Sequence, residues 1–149
     1  MSVSIVKLNG DVPISENVLS GMARLLPQLS QSAPALTAER VQSVTRSPLT
    51  SLFVAIDEST GNIVGMLTLA IFDAITGRRA HIEDVVVDNE CRGKGVGKLL
   101  LQKAIAIAQT EFGASSIDLT SRPERETANK LYQKVGFVKR ETNVYRYQD

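Results

Sequence analysis

Apolar residues recur with two different periods along the chain, and the changes of period divide it into elements. Val3, Ile5 and Lys7-Leu8 predict a short first strand, stopped by Asn9-Gly10-Asp11. From Ser15 to Leu29 the spacing becomes helical: Val18, Leu19, Met22, Leu25, Leu26 and Leu29 share one face. Ser15 is placed to cap that helix, with Pro13 outside it. Pro27 predicts that the helix ends or distorts there. A polar loop, 30–34, leads to a second helix over Thr37 to Arg46, capped by Thr37 and closed before Pro48.

Alternation then takes over. Leu52–Ile56 predicts a strand, Asp57–Asn62 a turn, and Ile63–Phe72 the returning strand of an antiparallel hairpin. Gly65 inside it predicts a bulge or a close backbone approach. Thr76-Gly77-Arg78 turns the chain into a central strand, Ala80–Val87. Val96–Glu111 reads as helix, with Val96, Leu100, Ala104, Ile107 and Ala108 along one side and Gly113 at its C′ position. Ile117, Asp118 and Leu119 predict a parallel neighbour strand, reached by a right-handed crossover. Ser121 with Glu124 predicts a capping box, or Pro123 the first helical position. Ala128, Leu131, Tyr132 and Val135 have helical spacing, ended by Gly136. Phe137–Arg140 and Asn143–Tyr147 predict two final strands. The order is β-α-α-β-β-β-α-β-α-β-β in one domain, residues 1–149.

Candidate chemistry concentrates after the central strand. Arg92-Gly93-Lys94-Gly95-Val96-Gly97 links a strand to a helix N-terminus. Glycines let a backbone approach a ligand closely, and the first helical N–H groups lack internal partners. Those donors and the positive end of the helix dipole suit a pyrophosphate. A dinucleotide fingerprint needs G-x-G-x-x-G, but this loop is G-x-G-x-G. A Walker A loop needs a glycine at position 92 and Ser or Thr after Lys98, where Leu99 stands.

The pattern R-x-x-G-x-G after a strand resembles the acyl-CoA pyrophosphate loop of the GNAT superfamily of N-acetyltransferases. A second block, Asn129-Lys130-Leu131-Tyr132-Gln133-Lys134-Val135-Gly136-Phe137, is similar to that family's N-x-x-x-Y-x-x-x-G-F segment. The resemblance is strong from His81 to Phe137 and vague before. It implies an α/β (α+β) GNAT fold: a mixed, mostly antiparallel sheet with a splayed parallel strand pair, flanked by about four helices. It also implies acetyl-CoA as co-substrate, with the pantetheine arm entering the splay.

The implied reaction is direct attack of a primary amine on the thioester, which needs a free amine, a stabilised oxyanion and a protonated leaving thiolate. By the resemblance, Tyr132 is the general acid; a phenol with a reference pKa of about 10 is protonated at neutral pH. The competing reading packs Tyr132 on the core face of its helix. Glu83 and Asp84 are candidate bases, placed by simple alternation on opposite faces of the strand. An ion pair with Arg78 or Arg79 is the structural alternative. His81 is a third proton acceptor. The family pattern places Arg92, Gly93, Lys94, Gly95, Val96, Gly97 and Lys98 on the pyrophosphate. It places Val85, Val86 and Val87 along the pantetheine arm, and Asn129 and Tyr132 nearby. The segment His81–Val87 also resembles glucosamine-6-phosphate N-acetyltransferases, but Leu119-Thr120-Ser121-Arg122 is less acidic than theirs.

Composition narrows the rest. With 17 basic against 16 acidic residues, nothing supports general nucleic-acid binding. One cysteine, Cys91, excludes an intramolecular disulfide, and one histidine beside it cannot build a common zinc site, so no metal is expected. Cys91 precedes the loop, away from the expected thioester, and reads as a structural thiol. No apolar run approaches the roughly 18 residues of a membrane span, and Met1–Lys7 lacks a signal-peptide core. A cytoplasmic enzyme is expected, with a homodimer through the late strands by family analogy. A CoA-sensing domain without turnover and a nucleotide-binding module are the alternatives.

Overall fold

The computed structural model describes residues 1–148. A five-stranded sheet has the order β1-β2-β3-β4-β5. Its strands are β1 (Val3–Lys7), β2 (Thr50–Asp57), β3 (Ile63–Ala74), β4 (Gly77–Val87) and β5 (Ser116–Asp118). The first four are antiparallel neighbours, and β5 is parallel to β4. Helices α1 (Glu16–Leu29) and α2 (Ala38–Thr45) pack on one face, and α3 (Val96–Thr110) and α4 (Glu126–Val135) on the other.

Strand alternation divides the core between the faces. Phe53, Leu67 and Leu69 point to the α3 side, where they meet Val96, Leu100, Leu101, Ala104 and Ala108. Leu52, Val54 and Met66 point to the opposite side, against Met22, Leu25 and Val41. The predicted caps form: Ser15 Oγ accepts from Val18 N–H, and Thr37 Oγ1 from Arg40 N–H. Pro27 lies inside α1, which continues to Leu29. A proline this late leaves the helix only a short distance to run, and Ser30 N–H still bonds to the Leu26 carbonyl at 2.9 Å.

Gly65 fulfils both expectations held for it. The β2–β3 register slips between Ala55 and Ile56, opposite Val64 and Gly65. A Cβ at Gly65 would lie 3.0 Å from Leu100 and 3.2 Å from the Val86 carbonyl. Two expectations fail. The segment after Phe137 forms no strand, and Val138, Val144, Tyr145 and Tyr147 are exposed. Its alternation and aromatic content favour a strand, but no partner strand lies beside it among the described residues. Ser121 does not cap α4: the helix begins at Glu126, after Arg125, and no side chain caps it.

Gly21 lies in α1, where a Cβ would sit 2.6 Å from the Ile63 side chain near its branch point. Alanine has the better helix propensity by about 1 kcal/mol, but overpacking costs about 1–3 kcal/mol. Gly21→Ala is therefore expected to destabilise, by roughly 1 kcal/mol in urea unfolding.

Candidate active site

β4 pairs with β5 only at Arg79–Ser116, Ala80–Ile117 and His81–Asp118. β4 then continues to Val87 while β5 stops at Asp118, so the parallel pair opens toward the C-terminal ends of both strands. A pocket of about 150 Å³ occupies the opening. Ile82, Glu83, Asp84 and Val85 line it from β4, Leu119 and Thr120 from the chain after β5, Arg125 and Tyr132 around α4, and Leu29 from α1. A larger open groove, about 640 Å³, lies on the β1 side between Lys7–Asp11 and Thr45–Thr50 and contains none of the predicted site residues.

A bulge shapes this pocket. Thr68 pairs with Glu83 and Met66 with Val86, so Leu67 alone faces both Asp84 and Val85. Asp84 takes φ +54°, the only positive φ outside glycine among the described residues. Aspartate tolerates the left-handed region better than most residues, yet the conformation costs of order 1 kcal/mol. The extra residue reverses the phase of the strand. Before it, Ala80 and Ile82 join the α3-side core; after it, Val86 joins the α1-side core. Simple alternation therefore does not hold through Asp84. Glu83 and Asp84 both line the one pocket, as do their neighbours Ile82 and Val85. Neither pairs with Arg78 or Arg79: Arg78 holds Asp73 at 2.8 Å, and Arg79 donates to Thr76. Glu83 instead meets His81, Nδ1 to Oε1 at 3.1 Å, on the same side of the strand.

Tyr132 is buried to 6% exposure, edge-on to Phe137, and still lines the pocket. The packing and the functional readings of this residue are thus compatible. Burial pushes its phenol above the ordinary pKa, while the Arg125 charge pulls the other way. The hydroxyl stays protonated at neutral pH. Asn129 donates to the Arg122 carbonyl at 3.0 Å and so braces the loop between β5 and α4.

The glycine loop follows β4 after a short 3₁₀ turn, Asn89–Cys91. Gly93 and Gly95 take φ +79° and +85°, and a Cβ at either would meet nothing within 4 Å. Glycine is required there by backbone conformation, and the space outside is open. Gly95 heads α3 without any side-chain cap, and Leu99 N–H makes the first helical bond back to it. The amides of Val96, Gly97 and Lys98 come before that bond. Arg92, Lys94 and Lys98 are exposed around them. Gly97 is buried, and a Cβ there would lie 2.8 Å from Leu131 and 3.6 Å from Val87, so the loop, the strand end and α4 meet at this point.

The acetyltransferase (GNAT) family model matches residues 19–137. The chain belongs to this family. Among relatives of this GNAT chain, a glucosamine 6-phosphate N-acetyltransferase of Trypanosoma brucei brucei is 34% identical over 129 residues, covering 83% of this chain and 85% of that one. Glucosamine 6-phosphate N-acetyltransferase 1 of Oryza sativa subsp. japonica is 30% identical over 139 residues, covering 88% and 81%. The crystal structure of a Trypanosoma brucei acetyltransferase superposes with a TM-score of 0.78 at 27% identity, over 99% of this chain and 100% of that one. The glucosamine-6-phosphate N-acetyltransferase of Arabidopsis thaliana shares the fold, with a TM-score of 0.80 at 24% identity and full coverage of both chains. This GNAT protein is an N-acetyltransferase, an acyltransferase that moves acetyl groups to amines.

Three features of the site escaped the sequence. The Asp84 bulge hides within an unbroken apolar-acidic strand pattern; its one signal is an aspartate, a residue tolerant of positive φ. Leu29 reads as an ordinary core residue of α1. Arg24 and Asp88 carry no motif, yet they form an ion pair of 2.6 Å at the foot of the loop. Among the described residues, no helix is long and apolar enough to cross a membrane.

Proposed function

We propose that residues 1–149 act as one domain that transfers acetyl from acetyl-CoA to a primary amine by direct attack in a ternary complex. The observation that carries this reading is the succession of three features along β4 and the chain that follows it. The uncapped α3 N-terminus and its open glycine loop stand just beyond the end of β4, and the edge of β4 left free by β5 leads back to the pocket with Tyr132 and Glu83. The pyrophosphate lies on Arg92, Gly93, Lys94, Gly95, Val96, Gly97 and Lys98. The pantetheine arm runs along Val85, Val86 and Val87, whose free backbone groups serve as strand partners, and passes the loop braced by Asn129.

The amine nitrogen attacks the thioester carbon, and the oxyanion takes backbone N–H donors of the β4 edge. The C–S bond breaks, and Tyr132 protonates the departing sulfur. Glu83 takes the amine proton, with Asp84 the second carboxylate of the pocket. The high phenol pKa supports an acid that is loaded at neutral pH. We place the enzyme in the cytoplasm, where acetyl-CoA is available to it, with no metal in the reaction. A homodimer through the late segment is part of the proposal, supported by exposed Val138, Val144, Tyr145 and Tyr147.

The acceptor assay follows from the two acceptor-side observations. His81–Val87 is similar to glucosamine-6-phosphate N-acetyltransferases, while Leu119–Arg122 departs from them, so hexosamine phosphates belong in the panel beside other amines. Acetyl-CoA is expected to bind in calorimetry and to release thiol with at least one amine. Tyr132→Phe is expected to keep the binding and lose roughly 10²-fold in turnover; unchanged turnover removes the general acid. For Glu83→Gln the loss should be greatest at low pH and fade at high pH, where free amine is abundant. A pH-independent loss counts against Glu83 as base. Sedimentation of the full chain at micromolar concentration is expected to give a dimer, and a monomer removes that part of the proposal.

A further inference from the structure

Helix α1 holds the chain immediately upstream of the glycine loop. Arg24 Nη1 donates to Asp88 Oδ2 at 2.6 Å, and Nη2 donates to the Ile63 carbonyl at 2.9 Å. One turn later, Gln28 Oε1 accepts from Asn89 N–H at 2.8 Å. Arg24 and Gln28 are four residues apart and therefore lie on one face of the helix. What they hold is a short rigid turn. Asp88 Oδ1 accepts from Glu90 N–H, and the Asp88 carbonyl accepts from Cys91 N–H at 2.8 Å. Arg92 follows directly.

We infer that Arg24, assisted by Gln28, is a positioning residue for the donor site: it fixes the Asp88–Cys91 turn and thereby the place from which the Arg92–Gly97 loop and the α3 N-terminus start. This rests on the proposed assignment of that loop to the pyrophosphate. Attachment of α1 to the sheet does not need the grip, because Met22 and Leu25 already pack with Ile63 and Val86. The polar contacts act on the turn instead. The Asp88 side chain is only 7% exposed, so its carboxylate depends on partners. Burial alone would raise its pKa; the Arg24 guanidinium and the Glu90 amide outweigh that and hold it below the ordinary carboxylate value. The forked guanidinium serves Asp88 and Ile63 at once, which ties α1, β3 and the end of β4 to a single point. A lysine donates from a single nitrogen and lacks the planar fork whose two nitrogens reach Asp88 and Ile63 separately.

Geometry makes this matter for binding. Donor amides aimed at an anion lose effect when displaced by about 1 Å. The same helix ends at Leu29, in the wall of the pocket. Donor loop and acceptor pocket are thus both referred to the last turn and a half of α1.

Coenzyme A titrated by calorimetry into the full chain tests the assignment. Arg24→Met keeps the aliphatic stem and removes the fork; it is expected to raise Kd for coenzyme A roughly tenfold. Arg24→Lys should recover part of the loss, because the charge beside Asp88 returns without the bond to Ile63. Gln28→Leu should weaken binding by a smaller factor, and keeps the test open if Arg24→Met does not fold. Thermal melts of the same preparations establish that each variant is folded at the titration temperature. Folded Arg24→Met and Gln28→Leu with the wild-type Kd overturn the inference while leaving the donor site intact. Failure of the wild-type chain to bind coenzyme A overturns the donor assignment itself and this inference with it.

Discussion

The site depends on one unmet backbone requirement. Strand β4 extends to Val87, but its parallel neighbour leaves it after His81. A strand edge inside a fold carries N–H and C=O groups that must find partners, and each one left dry costs free energy. Everything around the opening manages that edge. The Asp84 bulge re-aims the chain, α4 supplies Tyr132 across the gap, and α3 begins where the strand ends. A ligand that offers amide groups at strand spacing meets a surface already prepared for it. Local strain at Asp84 is tolerated because strands on one side and helices on both faces fix the strand around it.

The fold was legible where a residue's role is decided by its near neighbours in the chain. Ser15 and Thr37 cap their helices because a hydroxyl at that offset reaches an amide three residues on, whatever the tertiary structure. Gly93, Gly95 and Gly113 mark positive φ where the turn demands it. The two family blocks fall on the loop and on α4, and Leu131 of α4 packs against Gly97 at the start of α3. Reading failed where the deciding contact is long-range. A bulge is a property of two strands, since Asp84 is extra only with respect to Leu67 on β3. The tail after Phe137 has strand-like residues, but a strand exists only with a partner. Pro27 signals a helix end, and packing of α1 on the sheet carried the helix past it.

The candidate site divides in the same way. Loop and tyrosine were readable as motifs, since their chemistry is tied to spacing. The pairing of Glu83 with His81, and of Arg24 with Asp88, joins residues whose types are ordinary and whose meeting is set by the fold. Arg24 and Asp88 are separated by 64 positions, and no local pattern announces such a pair.

The two cores on opposite faces of the sheet have a consequence for how such a protein diversifies. One contains Leu100, Leu101 and Tyr132 and backs the glycine loop; the other contains Met22, Leu25 and Val41 and backs α1 and α2. Strand alternation insulates them, since neighbouring residues such as Leu52 and Phe53 serve different cores. Substitutions in the apolar face of α1 and α2 can accumulate on one side of the sheet without loosening the packing on the other, provided that Arg24 and Gln28 keep their hold on the turn before the glycine loop. The two layers can drift separately, and α1 is the one element through which a change on its side of the sheet reaches the loop on the other.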